Sequence, residues 1–155
     1  MISRSTAARV LFPDGVRISL IRPGWEIMLA LSEDGRLFKW GTDQDGVHTT
    51  PVDMTGLLPA GERITFLANS HHRLVLMESG RIFAWGANYA GELGDGTTTK
   101  RTRPTAVAGL TGAVAIDAGT FHTCAVLTNG TTRCWGENAS GQVGDVDVVA
   151  HAGAV

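Results

Sequence analysis

Neither sign of charge dominates this 155-residue chain: 15 acidic and 13 basic side chains leave a formal charge of −2. The electrostatic footprint that non-specific nucleic-acid or membrane-surface binding requires is therefore missing, and neither partner is expected. No apolar run approaches the roughly 20 residues of a membrane-spanning helix, and residues 1–10, MISRSTAARV, lack the apolar segment of a secretory signal. Aromatic residues are few, five Phe, four Trp and one Tyr, which is a thin supply of interface hot spots. No Gly-x-Ser-x-Gly, His-Glu-x-x-His, phosphate loop or Cys-x-x-Cys occurs, so no catalytic residue, cofactor site or metal site is expected.

Glycine, in contrast, is abundant. There are 20, spread along the chain rather than gathered in one tract, which calls for many tight turns. They mark a repeat. The segment EDGRLFKWG returns as ESGRIFAWG and again as TNGTTRCWG, so Trp40-Gly41, Trp85-Gly86 and Trp135-Gly136 occupy equivalent positions. Upstream of each pair lies a short apolar run, LAL, LVL and CAV, ending at a turn that contains Gly35, Gly80 or Gly130. Further upstream come VRI, RIT and VAI, and before the second and third of these Pro51-Val52 and Pro104-Thr105.

Units of this length, with about four short strands and a Trp near a strand end, suit blades of a β-propeller, and no helical periodicity competes. The expectation is an all-β chain of about three four-stranded antiparallel blades. They form one partial propeller domain over residues 1–155, with blades at roughly 6–46, 50–96 and 103–146 and a short tail at 147–155.

WGANYAGELGDGT, beginning at Trp85, and WGENASGQVGD, beginning at Trp135, resemble one half of the signature of the regulator of chromosome condensation repeat family. Its other half, Gly-x-x-His before an apolar strand and a glycine turn, is matched by Gly119-Thr120-Phe121-His122 and then CAVLTNG. The second unit keeps His72 but has Asn69 in place of the glycine. The first keeps Gly24, has Ile27 in place of the histidine and is short after its tryptophan, which makes it a degenerate blade. The resemblance implies a propeller, generally of seven blades, so three units want neighbours. They are a piece of a longer propeller, a chain that associates into a ring, or an open wedge with adapted ends.

The recurring tryptophans read as wedges between sheets, and His72 and His122, being repeated, read as structural rather than catalytic. The stretch Asp43-Gln44-Asp45-Gly46 lacks the further ligands of a calcium loop and reads as an acidic turn. If the third hairpin uses a three-residue loop, Thr128-Asn129-Gly130, Cys124 faces Cys134 within disulfide range; a two-residue loop spoils the pairing. Two reduced cysteines in a cytoplasmic protein are the alternative, whereas the resemblance to a bacterial, exported branch with cysteines at these two places implies an oxidising, extracytoplasmic setting. The loop NYAGELGDGTTTKRTR offers Tyr89, Glu92, Asp95, Lys100, Arg101 and Arg103 as partner-binding candidates.

The reading is a non-catalytic protein-protein interaction scaffold whose partner is a protein, with further propeller blades or a second copy also possible as neighbours. Two alternatives come from the resemblance: guanine-nucleotide exchange on a small GTPase, and secreted inhibition of an enzyme. A light-sensing role fails at the residue level, because Ile27 and Met28 stand where histidine and threonine would accompany Trp25.

Overall fold

The computed structural model describes residues 6–144 and 152–153. It is all-β apart from one 3-10 turn at Thr55–Leu57. The first sheet is the meander β1 (Ile18–Pro23), β2 (Ile27–Ser32), β3 (Leu37–Asp43) and β4 (Gly46–Asp53), and the second is β5 (Ile64–Asn69), β6 (His72–Met77), β7 (Ile82–Gly86) and β8 (Arg101–Ala106). The third has three strands among the described residues, β9 (Ala113–Ala118), β10 (His122–Leu127) and β11 (Thr132–Gly136). All neighbouring strands pair antiparallel.

The turn chemistry sets the central hairpins. Gly35, Gly80 and Gly130 take positive φ at the last loop position, and three-residue loops close on Ser32 to Arg36, Met77 to Arg81 and Leu127 to Thr131 backbone bonds. In the third sheet this places Ala125 opposite Arg133 and Cys124 opposite Cys134, and the two sulfurs are bonded.

Sequence repeats and sheets are out of phase. Pro51-Val52 and Pro104-Thr105, expected to open the second and third units, lie in β4 and β8, the last strands of the preceding sheets. The blade limits 6–46, 50–96 and 103–146 are thereby corrected to sheets spanning 18–53, 64–106 and 113–136. The reason is pairing at a distance: after the long loop the chain returns to β7, setting Gly86 opposite Arg101 and Phe83 opposite Ala106. The end of the third unit and most of the tail lie outside the described residues.

The middle sheet is buried on both faces. Leu67, Val75, Met77, Phe83 and Trp85 pack with Leu29, Leu31 and Leu37 of the first sheet. The alternate residues Leu74, Leu76, Ile82 and Ala84 pack with Ile116, Ala125 and Trp135 of the third. The first strands lie side by side, β5 touching both β1 and β9. In a four-strand meander the first-to-second and third-to-fourth connections leave the same end, so loops from all three sheets gather on one face.

Candidate protein-interaction face

The glycine after each tryptophan allows a close crossing at this face. Gly41, Gly86 and Gly136 have φ of 107°, 111° and 102°, and a Cβ on Gly41 or Gly136 would collide with the carbonyl of Glu26 or Phe121 in the adjacent connection. Each connection is thus pinned against its own sheet.

The junction between the second and third sheets shows what the repeated residues do. The Thr123 hydroxyl donates to the Glu92 carbonyl at 2.8 Å, so it accepts from His72 Nε2–H at 2.6 Å. The Trp135 indole N–H donates to the same carbonyl at 2.9 Å. That carbonyl is held in place by its own loop. The Asn88 amide donates to the Thr97 and Thr99 carbonyls and accepts from the Leu93 N–H, while the Glu92 carboxylate accepts from the Tyr89 and Ala90 N–H groups. The third unit repeats the arrangement, with Asn138 accepting from the Val143 N–H and Gln142 from the Ser140 N–H.

Two partner-binding candidates are corrected by this geometry. Glu92 is fully buried and spent on its own loop, and the Asp95 carboxylate is taken by Thr97 and by Arg101 at 2.6 Å. Arg101 is half-buried in that ion pair. Lys100 and Arg103 are exposed, and Tyr89 stands 77% exposed at the loop tip.

The first-to-second junction is built differently. The first unit has no long loop, so Trp85 Nε1 has no carbonyl to meet and is buried without a partner. Ile27 cannot donate as His72 does, and Arg73 occupies the place of Thr123. Near it, Lys39 Nζ, 3% exposed, donates to Asp43 at 2.8 Å and to Asp45 at 2.6 Å. Asp43, Asp45 and His48 bring ligand atoms within 4.8 Å of one another, but the Lys39 ammonium already fills that role.

A row of rings crosses the three sheets on this face. Trp25 lies in the β1–β2 connection, His71 in β5–β6 and Phe121 in β9–β10. Trp25 stacks on His71 at 5.0 Å between centroids, His71 leans on Phe121 at 5.2 Å, and Tyr89 meets Phe121 edge-on at 6.1 Å. Trp25 is 75% exposed. The second connection is one residue shorter than its counterparts: the Ser70 N–H bonds the His72 carbonyl, where Gly24 and Gly119 bond Ile27 and His122 across one more residue. Ser70, not Asn69, thus holds the glycine position. Asn69 instead donates from its amide to the Arg22 and Ile27 carbonyls at 2.9 and 3.0 Å, packed where a Cβ on Gly24 would be.

Sequence reasoning singled out Tyr89 and missed Trp25, His71 and Phe121 as a set. Their only local signal is that each sits two or three residues after a first strand.

A family model described as the regulator of chromosome condensation (RCC1) repeat matches residues 79–126, and a second model of the same description matches residues 113–142. Residues 79–142 carry RCC1 repeats. Neither match reaches the degenerate first unit, although that unit folds into a full four-stranded sheet. No curated protein matches the sequence.

Among solved structures, that of Kap60 bound to yeast RCC1 (Prp20) is 25% identical, with a TM-score of 0.77 over 88% of this chain and 36% of the other. Prp20p from Saccharomyces cerevisiae, in a structure whose description includes its binding to Gsp1p and histones, is 23% identical, with a TM-score of 0.76 over 90% and 38%. Human WBSCR16 is 19% identical, with a TM-score of 0.81 over 96% and 39%. The fold is therefore that of an RCC1-repeat propeller, and the chain spans well under half the length of these neighbours.

Proposed function

We propose that this chain is a non-catalytic protein-binding module that engages its partner through the row of Trp25, His71, Phe121 and Tyr89. The observation that carries the reading is the exposure of Trp25 and Tyr89, 75% and 77%, on one face of a sheet stack whose other aromatic rings are buried or half-buried. Tryptophan and tyrosine are the side chains that most often anchor interfaces, and burying rings of this size against a partner is strongly favourable. The RCC1 proteins of similar fold include Prp20, which is described as bound to Kap60. A protein partner for this chain is in keeping with that.

The test is affinity capture from the source with the wild type, with Trp25→Ala/Tyr89→Ala, and with Arg36→Ala on the opposite face. The partner should be retained by Arg36→Ala and lost with Trp25→Ala/Tyr89→Ala, a drop of about tenfold or more for each ring removed. Equal capture by all three would place binding elsewhere. If the captured protein is a small GTPase, a nucleotide-release assay decides whether the module also promotes exchange.

A further inference from the structure

Arg73 is the exception to the repeat on this face. Its counterpart Thr123 is fully used by His72 and Glu92, but Arg73 has neither across its junction, since Ile27 and the short first loop replace them. The guanidinium is 6% exposed, makes one long bond to the His71 carbonyl at 3.4 Å, and leaves Nε buried with no partner. Asp43 and Asp45 attract it electrostatically but give it no hydrogen bond. Asp43 gives one oxygen to Lys39 and the other to the Asp45 N–H, and Asp45 is bound by Lys39 and His48. A buried guanidinium with donors to spare is costly unless an anion meets it.

The space for one is present. Arg73 lines a cleft of about 260 Å³ walled by Trp25 and Tyr89, with His71, whose Nδ1 is also buried without a partner, and with two acids in its wall, Asp43, held by Lys39, and the exposed Glu26.

We propose that the cleft between Trp25 and Tyr89 receives a carboxylate side chain of the partner protein, paired by Arg73. Guanidinium forks suit carboxylates, and the flanking rings take the apolar neighbours of such a residue. Glu26, the unpaired negative charge of the wall, opposes the ligand and so tunes its affinity. This rests on the aromatic row being the partner-binding face.

The test is NMR titration of the full chain, following the Trp25 indole N–H and Arg73 Nε–H, with acetyl-Phe-Asp-amide, acetyl-Phe-Asn-amide, acetyl-Phe-Lys-amide and inorganic phosphate. The aspartate peptide should give saturable shifts at both probes, with the asparagine peptide about tenfold weaker, the loss of roughly one charge-assisted bond. Arg73→Thr, which installs the residue the third sheet already uses, should abolish the difference between the two peptides. Glu26→Gln, an exposed change, should tighten the aspartate peptide severalfold. Equal binding of the aspartate and asparagine peptides overturns the proposal. So does preference for the lysine peptide weakened by Glu26→Gln, or phosphate binding as tightly as the aspartate peptide, which would mark a site for free oxyanions. The peptides need no partner, so the two ideas fail separately: loss of capture in Trp25→Ala/Tyr89→Ala without a peptide response sinks the carboxylate site alone, and a peptide response with capture untouched sinks the partner-binding face.

Discussion

Burial pushes the pKa of the His72 imidazole down to about 3, with the nearby positive charge of Arg73 adding to the effect. The hydrogen-bond pattern agrees: Thr123 spends its proton on Glu92 and accepts from His72 Nε2–H, which leaves Nδ1 a bare, neutral nitrogen. Because the folded pKa lies below the ordinary value of 6.5, the unfolded chain takes up a proton first as pH falls, and stability drops between pH 6.5 and 3. Urea unfolding at pH 7.5 and at pH 5 should differ by about 2 kcal/mol from this group, at roughly 1.4 kcal/mol per pH unit. His72→Gln keeps an N–H donor and cannot titrate, so its stability should be flatter over the same range. An unchanged slope would assign the acid sensitivity to other groups.

At the scale of strands and loops, the Cys124–Cys134 bond sits on the outward face of the third sheet. Cys124, Val126, Thr132 and Cys134 there occupy the places that Leu74, Leu76, Ile82 and Ala84 hold in the second sheet, where those side chains pack on the next sheet. Tying β10 to β11 stabilises a hairpin that has no following sheet among the described residues. Closing a loop of this length limits the unfolded chain by about 2–3 kcal/mol. Cys124→Ala/Cys134→Ala should lower the melting temperature accordingly, and intact mass under non-reducing conditions should read about 2 Da below the reduced wild type. An unshifted mass would remove the bridge.

The glycine turns of these hairpins were legible in the sequence, whereas the choice between a two- and a three-residue loop at Asn129-Gly130, on which the cysteine pairing depends, is decided by the Leu127 to Thr131 backbone bond. The phase of the sheets was not legible, since β4 and β8 choose their partners across loops whose return path no neighbouring residue specifies. The ring row was less legible still. Trp25 and Phe121 are far apart in sequence, and His71 meets both through a connection one residue shorter than its equivalents. The string GELG announced a repeat, yet only the bonds of Glu92 show why that carboxylate is unavailable to a partner.

For the whole molecule, the two flanks of the stack differ. The outward face of the first sheet, where Ala30, Phe38 and Trp40 point, is covered by the chain before β1. Phe12 packs edge-on against Phe38 at 5.4 Å and Trp40 at 5.7 Å. Phe12→Ala uncovers an apolar face, and should cost about 1–3 kcal/mol, red-shift tryptophan emission and raise the apparent mass in light scattering. A variant as monodisperse and as stable as the wild type would mean that Phe12 contributes little to this flank.

The short loop of the first unit also has a consequence for how such chains grow by duplication. A tandem copy of the third unit placed after itself would offer a threonine to His122 and an indole N–H to the carbonyl of Gln142, so the series could lengthen there without new invention. A copy of the second unit inserted after itself would drive an arginine against His72 and the Glu92 carbonyl, where a threonine belongs. The order of these blades is thus written into their junctions, through Arg73 in the place where the third unit has Thr123.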